Sequence, residues 1–357
     1  MSGPIHKMLF ISMSDEANGA ENVLLMAAKA SKAPILFLKK SDNGALQIPE
    51  NTVCKYASQK SMVAGFLKLI KLLIPYRKGY ILMSTHPYLN AYLGVLKGIG
   101  YLKSQLVVRE CTSVFSRYSG LKKLSYRVAY QLGYPAVNLV VCQTDQMKTQ
   151  FLQNIPFIDS RKVIVLGNPL DISQTIHMSQ LTDSDPYLTT DYICAAGRLI
   201  PEKGFSVLIN AFSRIAEKYP GLNLLLLGDG PEKKKLKRLA TTFGLEDRIV
   251  FKGWVSNPLP YFKLAKVCVV SSIKEGFPNV LLQMLTINTA VVSTLCAGGI
   301  NDIPGIFKVE VNNADELADA LKLAMLSKGK PCCSLIEKYL QGRDPQTYVN
   351  SILESLK

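Results

Sequence analysis

A chain of 357 residues with 48% hydrophobic content exceeds the range of one core and carries apolar mass enough for two. Its apolar runs, such as Leu222 to Leu227, fall far short of the roughly 20 residues that cross a bilayer, and Met8 to Met13 reaches Asp15 too soon for a signal peptide, so a cytoplasmic chain is expected. The net charge of +15 sits almost wholly in residues 1–170, where 21 Lys+Arg face 8 Asp+Glu, a net +13 that leaves +2 for the remainder.

Strand-like and helix-like runs alternate along the chain, which predicts βαβ units and parallel sheets. In the first half the expected strands are Lys7–Ser12, Ile35–Leu38, Gly79–Ser84, Gln105–Arg109, Leu139–Gln143 and Lys162–Leu166. Helices are expected at Glu21–Ala30, Met62–Leu73, Leu89–Gly98 and Lys122–Leu132. Two of these helical regions interleave cations with apolar and aromatic residues, namely Lys68, Lys71, Arg77 and Lys78 in one and Arg117, Lys122 and Lys123 in the other. They suit an anionic membrane surface, an anionic lipid or a nucleic acid, or simply form a solvated basic face. Of the three partners the membrane is preferred, and no nucleic acid is expected.

The polar stretch 171–190 reads as a linker, separating an N-terminal domain at 1–170 from a second domain at 191–333, with residues 334–357 as closing helices that pack back on the first domain. The second set of strands is expected at Tyr192–Ala196, Asn223–Leu227, Arg248–Lys252, Val267–Ser271, Ala290–Ser293 and Phe307–Val311. Its helices are expected at Phe205–Lys218, Glu232–Phe243, Pro260–Leu264, Val280–Leu285 and Ala314–Ser327. Eight cysteines show no CxxC spacing and three histidines are scattered, which speaks against zinc and disulfides.

Four segments follow expected strands of the second half and therefore share one sheet edge: Gly197-Arg198-Leu199-Ile200-Pro201-Glu202-Lys203-Gly204, Gly228-Asp229-Gly230-Pro231, Gly253-Trp254, and Glu275-Gly276-Phe277-Pro278-Asn279-Val280. The carboxyl edge of an open α/β sheet is where ligands bind, and helix N-termini there favour phosphates. Arg198 and Lys203 suit a diphosphate, as a bidentate guanidinium and a point ammonium, although a strand–Gly–Arg loop taken alone is more often only a turn. Gly228-Asp229-Gly230 lacks the spacing of a dinucleotide fingerprint. Trp254, the only tryptophan, either walls a base pocket or covers a core edge.

From Gly197 to Pro304 the pattern resembles the C-terminal domain of glycosyltransferase family 4, of the GT-B fold. The carrying residues are the segments above together with Val291-Val292-Ser293-Thr294 and Cys296-Ala297-Gly298-Gly299-Ile300. Asn18-Gly19-Ala20-Glu21 is similar to the family's Gly-Gly-x-Glu loop, and Arg109-Glu110-Cys111-Thr112 and Cys142-Gln143-Thr144-Asp145 look like segments of bacterial O-antigen and capsule transferases. The resemblance implies two Rossmann-like domains, an α/β architecture with parallel sheets facing each other across a cleft. It implies that Arg198 and Lys203 hold a donor diphosphate and that Glu275 bonds the transferred sugar. Backbone groups of Gly276, Phe277, Pro278, Asn279 and Val280, with Gly197, Gly230 and Trp254, complete the donor site, and Gly19 approaches the diphosphate from the N-terminal domain.

Where the family repeats its acid to hold a ribose this chain has Gln283, and where many members carry an N-domain His it has Glu110, so that His86, after the strand ending at Ser84, is expected to take part of that role. The catalytic candidates are therefore Glu275, Arg198, Lys203, Glu110 and His86. The implied activity is metal-independent, retaining transfer of a hexose or N-acetylhexosamine from a nucleotide sugar, UDP by preference, to a polyprenyl-diphosphate-linked saccharide in surface-polysaccharide synthesis. It needs no cofactor and takes place at the inner face of the plasma membrane. A sugar-nucleotide epimerase or hydrolase and a non-catalytic nucleotide-sugar-binding partner remain the alternatives.

Overall fold

The computed structural model describes residues 7–41, 46–112, 114–181, 185–327 and 333–357. The chain divides into two compact units, Met1–Pro169 with Arg343–Lys357, and Leu170–Gly342.

In the first unit the strands are β1 (Met8–Ser14), β2 (Ile35–Lys39), β3 (Cys54–Ser58), β4 (Ile81–Thr85), β5 (Gln105–Arg109), β6 (Leu139–Cys142) and β7 (Val163–Val165). They form one parallel sheet in the order β3-β2-β1-β4-β5-β6-β7. Their near-continuous apolar runs fit a sheet covered on both faces. The helices are α1 (Gly19–Ala30), α2 (Met62–Leu72), α3 (Pro87–Gly98), α4 (Val114–Arg117), α5 (Gly120–Gly133) and α6 (Asp145–Asn154). Residues of α2, α3, α5 and α6 share one core on one face of the sheet, and α1 contributes to a second core with Met8, Phe10, Ile35 and Phe37.

The second unit begins with α7 (Ile172–Ser179). Its strands are β8 (Asp191–Ala196), β9 (Leu222–Leu227), β10 (Ile249–Gly253), β11 (Val267–Val270), β12 (Val291–Thr294) and β13 (Phe307–Val309), parallel in the order β10-β9-β8-β11-β12-β13. Its helices are α8 (Phe205–Ala216), α9 (Lys233–Thr242), α10 (Leu259–Leu264), α11 (Asn279–Ile287), α12 (Ala314–Ser327) and α13 (Cys333–Gln341), and the last helix, α14 (Pro345–Glu354), returns to the first unit. In both sheets the chain winds outward from a central strand. The order reverses between β1 and β4 and between β8 and β11, and a crevice at the carboxyl end of such a switch point is the ligand position of this architecture.

Three elements differ from expectation. Strand β3 was not foreseen, because Cys54-Lys55-Tyr56-Ala57-Ser58 is a half-exposed edge strand without an apolar run. The stretch 171–190 is no linker: α7 packs on α10 and α11, Ile172, Met178, Tyr187 and Leu188 join the second unit's core, and Asn257 donates to the Met178 carbonyl at 2.8 Å. The same stretch contains Asp183-Ser184-Asp185, an Asp-x-Asp that does not follow an expected strand; Asp183 and Ser184 lie outside the described residues, while Asp185 pairs with Lys252 at 2.6 Å and accepts from the Tyr261 hydroxyl. The closing segment also divides. Ile336 and Leu340 of α13 belong to the second unit's core, whereas Tyr348, Val349 and Ile352 of α14 pack in the first unit, where Arg343 donates to the Asn168 carbonyl at 3.2 Å.

Candidate active site

The edge of the second sheet is assembled by loops that brace one another. After β8 the chain passes Gly197 at φ 154°, Arg198 and buried Leu199, then makes a short turn at Pro201–Lys203 that ends on Gly204 at φ 63°. A Cβ at Gly204 would run into the Ser271 carbonyl oxygen, so glycine is required both by the left-handed backbone and by the close approach. The loop after β11 clips to it: Ser271 Oγ donates to the Lys203 carbonyl at 2.9 Å and the Ile273 N–H to the Glu202 carbonyl at 2.8 Å.

This clip brings Lys203 and Glu275 together, Nζ to Oε1 at 2.5 Å, and Ser272 Oγ donates to the same oxygen at 2.8 Å. The two side chains are 22% and 17% exposed, half-sheltered yet reachable, where a cation–carboxylate pair is strong and still open to a ligand. The Glu275 N–H donates to the Cys296 carbonyl at 2.9 Å, which fixes the acid's backbone. Burial, with the Glu275 charge adding, pushes the Cys296 thiol up to about 12, so this cysteine is no nucleophile. Gly276 and buried Phe277 and Pro278 lead directly into α11, which opens at Asn279 with Val280 in its first turn, four residues beyond Glu275. Gln283 stands one turn further on, half-buried.

Arg198 is exposed beside this pair in sequence, on a backbone held by the Leu199 N–H bond to the Asp229 carbonyl at 2.9 Å. Gly230 turns out to be part of that brace, since a Cβ there would lie 2.5 Å from the Leu199 oxygen. Trp254 is 58% exposed and follows Gly253 at the end of edge strand β10, two strands or roughly 10 Å from β8.

At the switch point of the first sheet, β1 leads to Gly19, the exposed first residue of α1, and then to Glu21, which is 1% exposed. Beside it β4 ends at Thr85, and His86 caps α3 with φ 77°, a left-handed conformation that a non-glycine residue adopts at a cost. Pro87 in the helix's first position fixes the turn. His86 Nε2 lies 2.5 Å from Glu21 Oε1, Ser12 Oγ approaches the same oxygen at 3.4 Å, and Glu21 Oε2 is buried with no hydrogen-bond partner among the described residues. The imidazole is 32% exposed, so its outer face is open. In the sequence Glu21 is only the last residue of the Asn18-Gly19-Ala20-Glu21 loop, with no role of its own. The signal that finds it is the strand order, which sets β1 against β4.

Glu110 does not fit the catalytic role expected for it. It is 2% exposed, accepts from the Tyr130 hydroxyl at 2.7 Å and from the Tyr134 hydroxyl, and burial holds its carboxyl above the ordinary range against the pull of those bonds. It belongs to a buried network that continues through Asn90 to Ser84 and the Arg109 carbonyl. Of the basic candidates, Lys68, Lys71 and Lys78 are exposed. Lys123 is half-exposed, the Arg117 guanidinium lies 5.8 Å from the Tyr118 ring and the exposed Lys122 ammonium 4.2 Å from it. Arg77 is committed to structure, donating to the Tyr101 carbonyl at 2.8 Å while stacking 4.2 Å from the Tyr101 ring. Among the described residues no group of three or more His, Cys, Asp and Glu side chains could hold a metal ion.

Residues 181–339 match the family model "glycosyl transferases group 1". The chain is 27% identical, over 93% of its length and 96% of the other, to a Campylobacter jejuni enzyme described as N-acetylgalactosamine-N,N'-diacetylbacillosaminyl-diphospho-undecaprenol 4-alpha-N-acetylgalactosaminyltransferase. Over 36% of its length and 38% of the other it is 35% identical to the Rhizobium meliloti lipopolysaccharide core biosynthesis glycosyltransferase LpsE. Among solved structures, the Anabaena protein HepE in complex with UDP-glucose superposes with a TM-score of 0.81 at 20% identity, over 98% of this chain and 99% of that one. The likeness to HepE shows the GT-B fold, two Rossmann-like parallel-sheet units, and the matched domain makes the chain a glycosyltransferase.

Proposed function

We propose that this glycosyltransferase moves a hexose or N-acetylhexosamine from a UDP-sugar to a polyprenyl-diphosphate-linked saccharide, with retention of configuration and without a metal ion. The place of this activity is the synthesis of a bacterial surface polysaccharide, O-antigen or capsule, in the family 4 branch. The observation that carries the donor half is the Lys203–Glu275 pair at the β8/β11 switch point, with Arg198 on the adjoining loop and the start of α11 beside it. Transfer leaves a diphosphate that gains charge, and preorganised cations and N–H groups stabilise it in the transition state. Lys203 and Arg198 supply those cations, so the reading calls for no divalent ion or other cofactor. Glu275 orients Lys203 through one oxygen and takes sugar hydroxyls on the other. Gln283 meets the ribose through an amide, and Trp254 offers a face to the base.

The acceptor is assigned to the first unit. His86, held by Glu21, faces the acceptor hydroxyl, and the exposed cations Lys68, Lys71, Lys78 and Lys122, with half-exposed Lys123, meet the anionic surface that bears it. The full-length likeness to an enzyme named for an undecaprenol-linked acceptor supports this choice, as does the bound UDP-glucose of the structural neighbour.

Trp254, the chain's single tryptophan, gives a direct test. UDP-sugars should change its emission saturably in the presence of EDTA, with UDP preferred to GDP and dTDP. Radiolabelled sugar should then pass to a polyprenyl-diphosphate saccharide. Binding that requires a divalent ion, or release of free sugar or an epimer regardless of acceptor, would overturn the reading.

A further inference from the structure

The layer of α2, α3 and α5 on one face of the first unit's sheet has an outer surface that the fold does not use. The three helices are locked together: the Tyr92 hydroxyl of α3 donates to the Phe66 carbonyl of α2 at 2.8 Å, and Gly94 of α3 meets Gly133 of α5 so closely that a Cβ at either would strike the other helix's backbone. Helix α5 buries Tyr126, Tyr130 and Gly133 inward. Its opposite face carries Leu121, Leu124, Val128 and Leu132, which are 85%, 55%, 45% and 67% exposed. At 100° per residue their spacing of three, four and four confines them to an arc of about 80°. Helix α5 is thus apolar on two sides, one facing the core and one facing out. Helix α2 adds Val63 and Leu67 at 72% and 67% exposure.

The charge around this surface has one sign. Between Glu50 and Asp145 the sequence holds 13 Lys+Arg and a single acid, Glu110, which is buried. No described helix is long and apolar enough to cross a membrane. An exposed apolar stripe on a helix flanked by cations, with no acid on the surface, is the composition of a helix that lies in the plane of an anionic bilayer.

We propose that the outer face of the α2–α3–α5 layer docks on an anionic lipid bilayer, with the Leu121, Leu124, Val128 and Leu132 stripe entering the acyl boundary and Lys122, Lys123 and Arg127 on the headgroups. The inference deepens, and for its biological sense rests on, the reading of a membrane-borne acceptor. Tyr88 and Tyr118 each stack on Tyr126, so each offers at most one ring face of the kind on which single-stranded nucleic acid stacks. A second copy packed face to face by a two-fold axis would set this cationic surface against itself.

The test uses the full chain and sedimentation with vesicles of phosphatidylcholine alone or mixed with phosphatidylglycerol. The native protein should bind the mixed vesicles at least about tenfold more tightly, and salt should weaken that binding. The variant Leu121→Gln, Leu124→Gln, Val128→Gln, Leu132→Gln, altered only at exposed positions and checked by thermal melting, should lose about tenfold or more in vesicle binding while UDP still changes Trp254 emission. The variant Lys122→Gln, Lys123→Gln, Arg127→Gln should lose the preference for phosphatidylglycerol. In a Trp254→Phe background, Leu124→Trp should shift to shorter wavelength and be quenched by brominated lipid. Undiminished binding by the stripe variant, no binding by the native chain, displacement by RNA, or a dimer abolished by the stripe variant in place of vesicle binding would each overturn the proposal. None of these outcomes touches UDP binding, which reports on the transferase reading separately.

Discussion

The two units repeat one architecture and treat charge in opposite ways. In the second unit cations meet acids of the same unit: Lys203 with Glu275, Lys233 with Asp229, Lys235 with Glu232, Lys252 with Asp185, Lys266 with Asp191, Lys322 with Asp319 and Arg214 with Asp315. Over the helical layer of the first unit no such partner exists in the sequence from 51 to 144 except Glu110, and that acid is turned inward to two tyrosines. A near-neutral unit suits a soluble, charged donor that must be held at a few chosen cations. A unit with an acid-free face suits a surface whose charge is spread over many groups. The switch points follow the same division, with a cation–carboxylate pair in one unit and an imidazole–carboxylate pair in the other.

The largest effects are expected where the second unit spends its sheltered pair. On the proposed reading, Lys203→Ala and Glu275→Gln should each lower turnover by about 100-fold or more, since each would remove preorganised charge at the leaving diphosphate or its orienting partner. His86→Ala should also lower transfer to acceptor, yet leave the UDP response of Trp254 unchanged. Rates and fluorescence titrations on the three variants separate the units. If His86→Ala weakened UDP binding as much as Lys203→Ala does, the division of labour would fail.

Next in size is a stability effect at the seam of the cationic layer. Gly94→Ala forces a methyl onto the Gly133 carbonyl, backbone against backbone, and overpacking of this kind costs about 1–3 kcal/mol. Gly98→Ala in the same helix meets only the Ala136 Cβ at 3.8 Å and should leave stability unchanged or slightly higher, because alanine is the better helix former. Denaturant midpoints for the two variants measure the contrast.

A smaller, pH-dependent difference is expected at Glu110. Burial raises its folded carboxyl above the unfolded value, so its contribution is fully present below the ordinary carboxylate range and is lost as pH rises through the raised folded value. Glu110→Gln stays neutral throughout. Its melting temperature should therefore rise relative to the native chain as pH climbs above the ordinary carboxylate range, whatever constant offset the amide introduces. A difference that falls over that climb would show the acid to be stabilised as a carboxylate.

Much of this was legible in the sequence because parallel strands buried on both faces leave unbroken apolar runs, and because glycine turns at their ends punctuate the chain. The runs at β8, β9, β11 and β12 place Arg198, Lys203 and Glu275 on one edge before any coordinates are known. Four things were not legible. An edge strand such as β3 lacks the apolar run, and the polar composition of 171–190 hid apolar anchors such as Ile172 and Met178. Partners distant in sequence depend on strand order, so neither the Glu21–His86 pair, 65 residues apart, nor the inward turn of Glu110 could be read from spacing. The outward stripe of α5 escaped for another reason. A helix with two apolar faces has the composition of a core helix, and only the position of the sheet tells which face is outside.

The smallest expected effect is the sharpest control on the comparison. Helix α9 is as basic in sequence as any segment of the chain, Lys233-Lys234-Lys235 followed by Lys237 and Arg238, yet it lies in the balanced unit with Lys233 on Asp229 and Lys235 on Glu232. Both pairs are solvent-exposed, and exposed pairs at helical spacing are worth about 0.3–0.5 kcal/mol each. Lys233→Gln with Lys235→Gln should therefore move the denaturant midpoint barely beyond error. It should leave binding to phosphatidylglycerol vesicles within about twofold of native, because α9 buries Leu236 and Ala240 and shows no apolar stripe to the outside. A loss of vesicle binding as large as that from the α5 cations would mean that basic charge alone draws the chain to lipid, and the distinction between the two units would reduce to a count of lysines.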